Sequence, residues 1–209
     1  MNAKNGMLFV VAAPSGAGKT SLLKELSKKN NRVIISISHT TRKPRDGEIE
    51  GEDYFFVDEK SFKKLIEENH FLEHARVFGN HYGTSRSFVE SQIQTGKKII
   101  LEIDWQGMQK IKAKGVEIIG IFILPPDYIT LEERLINRQK DSSTTIKQRM
   151  DAALDEISHY KEFDFIVVND KFDETLAKLN EIISDPKTDH NRRNSSHDDF
   201  ISKIMAQRD

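Results

Sequence analysis

MLFVVAAPSGAGKT, residues 7–20, is the stretch of sequence that decides the fold. Its first half, Met7–Ala13, is a continuous apolar run, and such runs are typical of strands buried on both faces. Gly16 and Gly18 allow the backbone to curl closely around an anion, and a helical pattern begins at Lys19. A glycine-rich turn between a strand and a helix predicts a phosphate-binding loop.

The residue types of this loop suit the transfer of a phosphoryl group. Lys19 would reach the β- and γ-phosphates of ATP, and the Thr20 hydroxyl would ligate the Mg²⁺ bound with it. The common pattern G-x-x-x-x-G-K-[ST] begins with glycine where this chain has Ala13, and an ordinary strand-to-helix turn is the alternative interpretation. The residues predicted to bind ATP here are Ala13, Pro14, Ser15, Gly16, Ala17, Gly18, Lys19 and Thr20.

Four further apolar runs lie near segments with helical character: Val33–Ile37, Ile99–Ile103, Ile118–Leu124 and Phe163–Val168. The helices are predicted at Lys19–Lys28, Arg86–Thr95, Gln106–Lys114, Thr130–Arg138, Thr145–Lys161 and Glu174–Ser184. Strands that alternate with helices imply a parallel sheet with right-handed crossovers. The predicted fold class is therefore α/β, a P-loop NTPase three-layer fold with a five-stranded parallel sheet.

Two polar stretches interrupt this alternation. Residues 38–83 include a predicted helix at Glu59–Asn69 and are interpreted as an inserted mixed α/β lobe. Residues 138–146 are interpreted as a short lid. The core would then consist of residues 1–37 and 84–185, followed by a polar tail, residues 186–209, with a short helix at Phe200–Met205.

Composition argues against several classes of protein and of partner. The chain has 209 residues, a formal net charge of −1 and no cysteine, which excludes disulfides and cysteine-based metal sites. The balanced charge predicts neither a nucleic-acid nor a membrane partner. Met7–Ala13 is too short for a membrane span or a secretory signal, so we expect a cytoplasmic protein. The sequence leaves open whether it forms a homo-oligomer.

A second feature of phosphoryl-transfer enzymes lies at the end of the run Ile99–Ile103, where Asp104 follows. A carboxylate that ends an apolar strand resembles the one that orients Mg²⁺ through water in phosphate-loop enzymes. Acidic residues at this position also cap the next helix. Both interpretations of Asp104 stay open.

Several segments, in the same order along the chain, resemble guanylate kinases: SHTTRKPR at 38–45, GE at 47–48, GEDYFF at 51–56, FLE at 71–73, GNHYGT at 79–84, IDWQG at 103–107 and VVND at 167–170. Bacterial members of that family often begin the loop with Ala-Pro-Ser-Gly, as here with Ala13. The family usually carries aspartate where this chain has Glu102. The resemblance implies transfer of the γ-phosphoryl group of ATP to GMP, giving ADP and GDP, in purine nucleotide metabolism and GMP recycling, with Mg²⁺ bound to ATP.

The resemblance also implies roles for individual residues. It makes residues 38–83 the lobe that binds GMP, in which the phosphate would be held by Arg42, Arg45, Tyr54 and Tyr82. The guanine edge would meet Ser38, Glu73 and Thr84, and the same pocket would include Asp104. The ATP phosphates would be neutralised by the catalytic residues Lys19, Arg134, Arg138 and Arg149, with Asn169 near the adenine side.

Simpler interpretations of these residues remain open in the sequence. Arg42 and Arg45 could be solvated surface charges, and Arg134 could pair within its own helix. The two tyrosines could be core aromatics, and Glu73 could belong to a surface ion pair.

Three other functions compete with a guanylate kinase. The first is a phosphate-loop kinase for another small acceptor. The second is a scaffold module that recognises phosphopeptides, a class that typically has an eroded phosphate loop, whereas Lys19 and Thr20 are both present here. The third is a GTPase switch, which needs an Asn-Lys-x-Asp segment that the sequence lacks.

Overall fold

The computed structural model describes residues 6–77, 79–138, 143–187 and 195–206, so residues 139–142 of the predicted lid lie outside it. The strands in these ranges are β1 (Met7–Ala12), β2 (Val33–Ile35), β3 (His39–Thr40), β4 (Phe55–Phe56), β5 (Phe71–Val77), β6 (Asn80–Ser85), β7 (Lys98–Leu101), β8 (Ile119–Leu124) and β9 (Phe165–Val168). The α-helices are α1 (Lys19–Lys29), α2 (Glu59–Glu67), α3 (Arg86–Gln94), α4 (Trp105–Ala113), α5 (Tyr128–Arg138), α6 (Ser143–Ser158), α7 (Phe172–Ser184) and α8 (Ser195–Ala206).

Five strands form one parallel sheet in the order β2-β7-β1-β8-β9. Phe9, Val10 and Val11 of β1 are fully buried, as a continuous apolar run predicts for a strand covered on both faces. β8 ends at Leu124 because the two prolines that follow cannot continue the hydrogen-bonded ladder. The predicted fold class is confirmed, and each predicted apolar run supplies one strand of this sheet.

The chain divides into two compact units. Met1–Leu8 and Arg32–Ile118 form the first, called here the lobe unit, and Phe9–Asn31 and Ile119–Asp209 form the second, called the loop unit. In the loop unit, the leucines of α1 are buried and this helix packs against α7. The Asn30 side chain donates a hydrogen bond to Asn180 Oδ1 of α7 at 2.9 Å. The domain boundaries predicted from the sequence stay a prediction.

A second sheet lies within the lobe unit and has four strands in the order β4-β3-β6-β5. β3 and β4 are parallel, whereas β6 runs antiparallel to both of its neighbours. Phe62 of α2 stacks on Phe71 of β5 with 4.7 Å between ring centroids, and both side chains are buried. This arrangement matches the mixed α/β character predicted for residues 38–83, although β6 continues to Ser85.

The last helix, α8, contains the short helix predicted at Phe200–Met205. Ile201 and Ile204 are buried, and the Tyr160 hydroxyl donates a hydrogen bond to Asp198 Oδ1 at 2.7 Å. These contacts anchor the tail helix on the loop unit. Across the described ranges, no helix is both long enough and apolar enough to cross a membrane.

Candidate active site

The turn between β1 and α1 has the geometry of a phosphate-binding loop. Gly16 and Gly18 have φ angles of 92° and 88°, in the left-handed region that favours glycine. The Ala17 N–H donates to the Pro14 carbonyl at 3.1 Å, which closes the turn, and α1 begins at the next residue after Gly18. The helix N-terminus and the loop N–H groups therefore offer donors to an anion.

Ala13 is compatible with this loop although the general pattern has glycine there. Among the described residues, Asn69 is the only non-glycine residue with a positive φ, so Ala13 keeps a backbone conformation that alanine adopts readily. The substitution therefore imposes no backbone strain.

Asn169, the residue that follows β9, stabilises the phosphate loop through a side-chain hydrogen bond. Asn169 is 5% exposed, and its Nδ2 donates to the Ala17 carbonyl at 2.6 Å. A β-carbon placed at Gly18 would lie 2.6 Å from the same Nδ2, so glycine is needed there for space as well as for conformation. The Arg134 guanidinium lies 3.5 Å from the Asn169 carbonyl oxygen. The sequence predicted Asn169 beside adenine; the structure adds this contact with the loop.

Replacing Asn169 should therefore weaken the loop. Asn169→Ala leaves the Ala17 carbonyl buried without its donor, and we expect a loss of about 1–2 kcal/mol in the free energy of unfolding, with a higher KM for ATP. Urea unfolding and initial rates at varied ATP measure both effects. Asn180→Ala removes an exposed amide–amide hydrogen bond in the same unit and should change stability by less than about 0.5 kcal/mol. Equal behaviour of the two variants would contradict this role of Asn169.

The other two arginines predicted to contact ATP are residues of α5 and α6. Arg149 is a half-buried residue of α6 in the loop unit. Arg138 is the last residue of α5, and its side chain lies outside the described part of the structure. Their contact with ATP phosphates stays a prediction.

Three of the four residues predicted to hold the GMP phosphate lie together in the lobe unit. The Arg42 guanidinium carbon is 5.2 Å from the ring centroid of Tyr54, and the Tyr54 and Tyr82 rings are 6.1 Å apart. Only 13% of the Arg42 side chain is exposed, so it is not the solvated surface charge of the alternative interpretation. A guanidinium beside two phenols offers several donors to an anion.

Glu48 organises this cluster, a role that the sequence did not assign to it. Its Oε1 accepts from Arg42 Nη2 at 2.7 Å, and its Oε2 accepts from the backbone N–H of Arg45 at 2.7 Å. The hydrogen bond from Arg42 lowers the pKa of the Glu48 carboxyl below its ordinary value. Arg45 itself is exposed. The segment Gly47-Glu48 belonged to the resemblance and was the available sign of this role.

A buried carboxylate lies on the adjoining part of the lobe sheet. Glu73 of β5 is 3% exposed, and its Oε1 accepts a hydrogen bond from the Thr84 hydroxyl of β6 at 2.8 Å. Burial raises the pKa of Glu73 above its ordinary value, and the bond from Thr84 opposes that change. Tyr82 and Thr84 are two residues apart on β6 and therefore point to the same face of the sheet. Glu73 is thus not part of a surface ion pair.

Asp104 is the N-cap residue of α4, which agrees with one of the two interpretations of this residue in the sequence. Its Oδ1 accepts the Gly107 N–H at 2.8 Å. A β-carbon placed at Gly107 would lie 3.3 Å from Glu73 Oε2, so the first turn of α4 lies directly beside the buried carboxylate. Asp104 also adds to the rise in the pKa of Glu73, behind burial as the main cause. Ser38 lies one residue before β3, where its carbonyl accepts from the Phe55 N–H at 2.9 Å.

Glu102, which stands where the family usually has aspartate, follows β7 in the lobe unit. Its charge acts on Tyr54: burial is the main cause that raises the pKa of the Tyr54 phenol, followed by Tyr82 and Glu102. Tyr54 therefore stays protonated and keeps its hydroxyl available as a donor. The longer side chain at position 102 therefore still acts on Tyr54 through its charge.

A parallel sheet with a phosphate loop between β1 and α1 defines the class of phosphate-loop nucleotide-binding enzymes. A family model described as guanylate kinase matches residues 5–186. The guanylate kinases of Escherichia coli (strain K12) and Salmonella typhi are each 48% identical over 203 residues, covering 96% of this chain and 98% of those proteins. The crystal structure of guanylate kinase from Anaplasma phagocytophilum matches with a TM-score of 0.71 and 32% identity over 97% of both chains. The chain belongs to the guanylate kinase family.

Proposed function

We propose that this guanylate kinase binds ATP at the phosphate loop of the loop unit and GMP at the lobe unit. The reaction transfers the terminal phosphoryl group of ATP to GMP and yields ADP and GDP. The observation that carries the assignment of the acceptor is Glu73, a buried carboxylate held by Thr84. It lies on the sheet that also carries Tyr82 of the cationic and phenolic cluster.

On the donor side, the loop N–H groups and Lys19 would hold the ATP phosphates. Phosphoryl transfer requires positioning and neutralisation of negative charge more than covalent participation by the protein, and a fixed ammonium provides both. Arg134, Arg138 and Arg149 would add positive charge at the same phosphates. Arg134 is supported by its approach to Asn169, which itself fastens the loop.

Mg²⁺ would be held by the Thr20 hydroxyl in the first turn of α1. An oxygen donor of this kind suits Mg²⁺, which usually keeps several waters and binds through substrate phosphates. The described residues contain no group of three His, Asp or Glu side chains that could hold a metal ion by themselves, so the nucleotide would supply further ligands. When bound, Mg²⁺ neutralises charge on the phosphates and orients them. The water-mediated role of Asp104 stays a prediction from the sequence.

On the acceptor side, the GMP phosphate would bind to Arg42, Arg45, Tyr54 and Tyr82. Glu48 keeps Arg42 in place and is supported in that role by its two hydrogen bonds. The ionised Glu73 would accept hydrogen bonds from the ring N1–H and the exocyclic amine of guanine. Ser38 would donate to guanine O6. We also propose a cytoplasmic location, as the sequence predicted.

A coupled assay of ADP release with a panel of nucleoside monophosphates tests this proposal. GMP should give the highest kcat/KM, because only guanine offers Glu73 two adjacent donors among the common bases. AMP, CMP and UMP, each with ATP and Mg²⁺, provide the comparison. A preparation that phosphorylates AMP or a pyrimidine monophosphate as efficiently as GMP would refute the acceptor assignment.

A further inference from the structure

The strand that carries Glu73 is an edge strand with an irregularity beside that residue. β5 stands last in the order β4-β3-β6-β5, so one of its sides has no partner strand in this sheet. In its pairing with β6, Phe71 faces Ser85 and Glu73 faces Thr84, which leaves Leu72 as the extra residue of a β-bulge. Bulges redirect side chains and occur at sheet edges and next to active sites.

Lys110 of α4 and Lys114, the C-cap residue of α4, bind this edge on both sides of Glu73. Lys114 Nζ donates to the Leu72 carbonyl at 2.5 Å, and Lys110 Nζ donates to the His74 carbonyl at 2.9 Å. Because the lysines are four residues apart, they lie on the same side of the helix. The carbonyls immediately before and after Glu73 are therefore both held by ammonium groups from one helix.

Charged residues of α4 and of its two caps also affect the pKa of the Glu73 carboxyl. Burial raises the pKa of Glu73, Asp104 raises it further, and Thr84, Lys110 and Lys114 lower it. Thr84 acts from β6 through its hydroxyl, whereas Asp104 acts from the N-cap of α4, Lys110 from within α4 and Lys114 from its C-cap. The lysine charges thus favour the ionised form, which is the form able to accept two hydrogen bonds from guanine.

We propose that Lys110 and Lys114 are positioning residues for acceptor specificity, which fix the β-bulge that aims the Glu73 carboxylate at guanine. This inference rests on the proposed role of Glu73 as the group that recognises guanine. Neither lysine needs to contact GMP. Their effect passes through the Leu72 and His74 carbonyls and through the charge on Glu73.

Substitution of the lysines by methionine removes the ammonium group but keeps a long apolar stem. Lys114→Met should raise KM for GMP about fivefold, which is less than the full loss of a charge-assisted hydrogen bond, because Lys114 is exposed and acts on guanine only through Glu73. The double variant Lys110→Met/Lys114→Met should raise it further. Saturating kcat and KM for ATP should stay within about twofold. Lys114→Arg keeps a charge and donors and should restore most of the GMP affinity.

A pH profile separates this role from a purely structural one. Loss of a lysine removes a charge that lowers the pKa of Glu73, so this pKa rises and GMP recognition fails at a higher pH as the solution is acidified. The acidic limb of kcat/KM for GMP should accordingly move to higher pH in Lys114→Met. Lys63→Met removes one charge from an exposed position of α2 in the same unit and should leave both KM and the profile unchanged.

Thermal unfolding of each variant shows that it is folded at the assay temperature. The proposal is overturned if both lysine variants keep the wild-type KM for GMP and the wild-type acidic limb while Glu73→Gln loses GMP activity; the proposed function would then still stand. It is also overturned if the lysine variants lower kcat/KM for ATP and kcat/KM for GMP by the same factor and Lys114→Arg fails to restore activity. Full GMP activity and full discrimination against AMP in Glu73→Gln would instead refute the proposed role of Glu73 in guanine recognition, on which this inference rests.

Discussion

Lys19→Ala is expected to lower kcat/KM by about 10²–10³-fold, or ~3–4 kcal/mol in the activation barrier, while leaving the fold intact. Lys19 is the first residue of α1 and follows Gly18, whose left-handed conformation turns the chain from the loop into the helix. Its ammonium would meet the charge that develops on the transferring phosphoryl group. A methyl group at this position cannot neutralise that charge.

The measurement is a coupled assay with ATP, Mg²⁺ and GMP on the purified variant, accompanied by thermal unfolding. Lys28→Ala, near the other end of α1, is a matched control, because its ammonium is exposed and lies 4.0 Å from Glu25 in a weak ion pair. It should keep close to wild-type activity and stability. A folded Lys19→Ala protein with a rate near that of the wild type would remove Lys19 from the catalytic machinery.

The parallel sheet and the loop were predictable because the physics that determines them is local. A strand covered on both faces must be apolar throughout, so Met7–Ala12 and Ile119–Leu124 are visible as runs in the sequence. The loop needs glycine at two positions with positive φ, and Gly16 and Gly18 supply it. The strand end at Leu124 follows in the same way from the adjacent prolines.

The lobe sheet was less accessible from sequence because its pairings are not local. β3 has only two residues, yet His39 pairs with Phe55 on one side and Gly83 on the other. Neither periodicity nor length identifies such a strand. The region was therefore predicted as a mixed α/β lobe without its strands, which appear only when distant segments come together.

In the candidate site too, individual residues could be predicted from the sequence, whereas the contacts between them could not. The resemblance marked Arg42 and Glu73, but the contacts that hold them join residues separated in sequence: Glu48 with Arg42, Thr84 with Glu73, and Lys110 and Lys114 with β5. A charged residue at a surface-like position of a helix, such as Lys114, has no sequence pattern that reveals its partner. Roles of single residues toward ATP and GMP stay predictions that the substitutions described here test.

We proposed above that Glu73 determines the choice of GMP over AMP. Guanine presents two adjacent donors, N1–H and the exocyclic amine, whereas adenine has a bare N1 acceptor and no amine at C2. An ionised Glu73 would accept from both guanine donors but would face the adenine lone pair with its own. Sites built on buried hydrogen bonds reject the wrong partner by as much as ~10⁴–10⁵, because polar groups are left unpaired.

Glu73→Gln should therefore cut kcat/KM for GMP by at least about tenfold, which corresponds to ~1.4 kcal/mol. The glutamine oxygen can still accept from Thr84, but the amide NH₂ would then face the donors of guanine. KM for ATP should change little, because Glu73 lies in the lobe unit and the phosphate loop lies in the loop unit. Glu67→Gln, an exposed change on α2, is the matched control and should behave as wild type. If Glu73→Gln keeps full GMP activity and still rejects AMP, then another group recognises guanine.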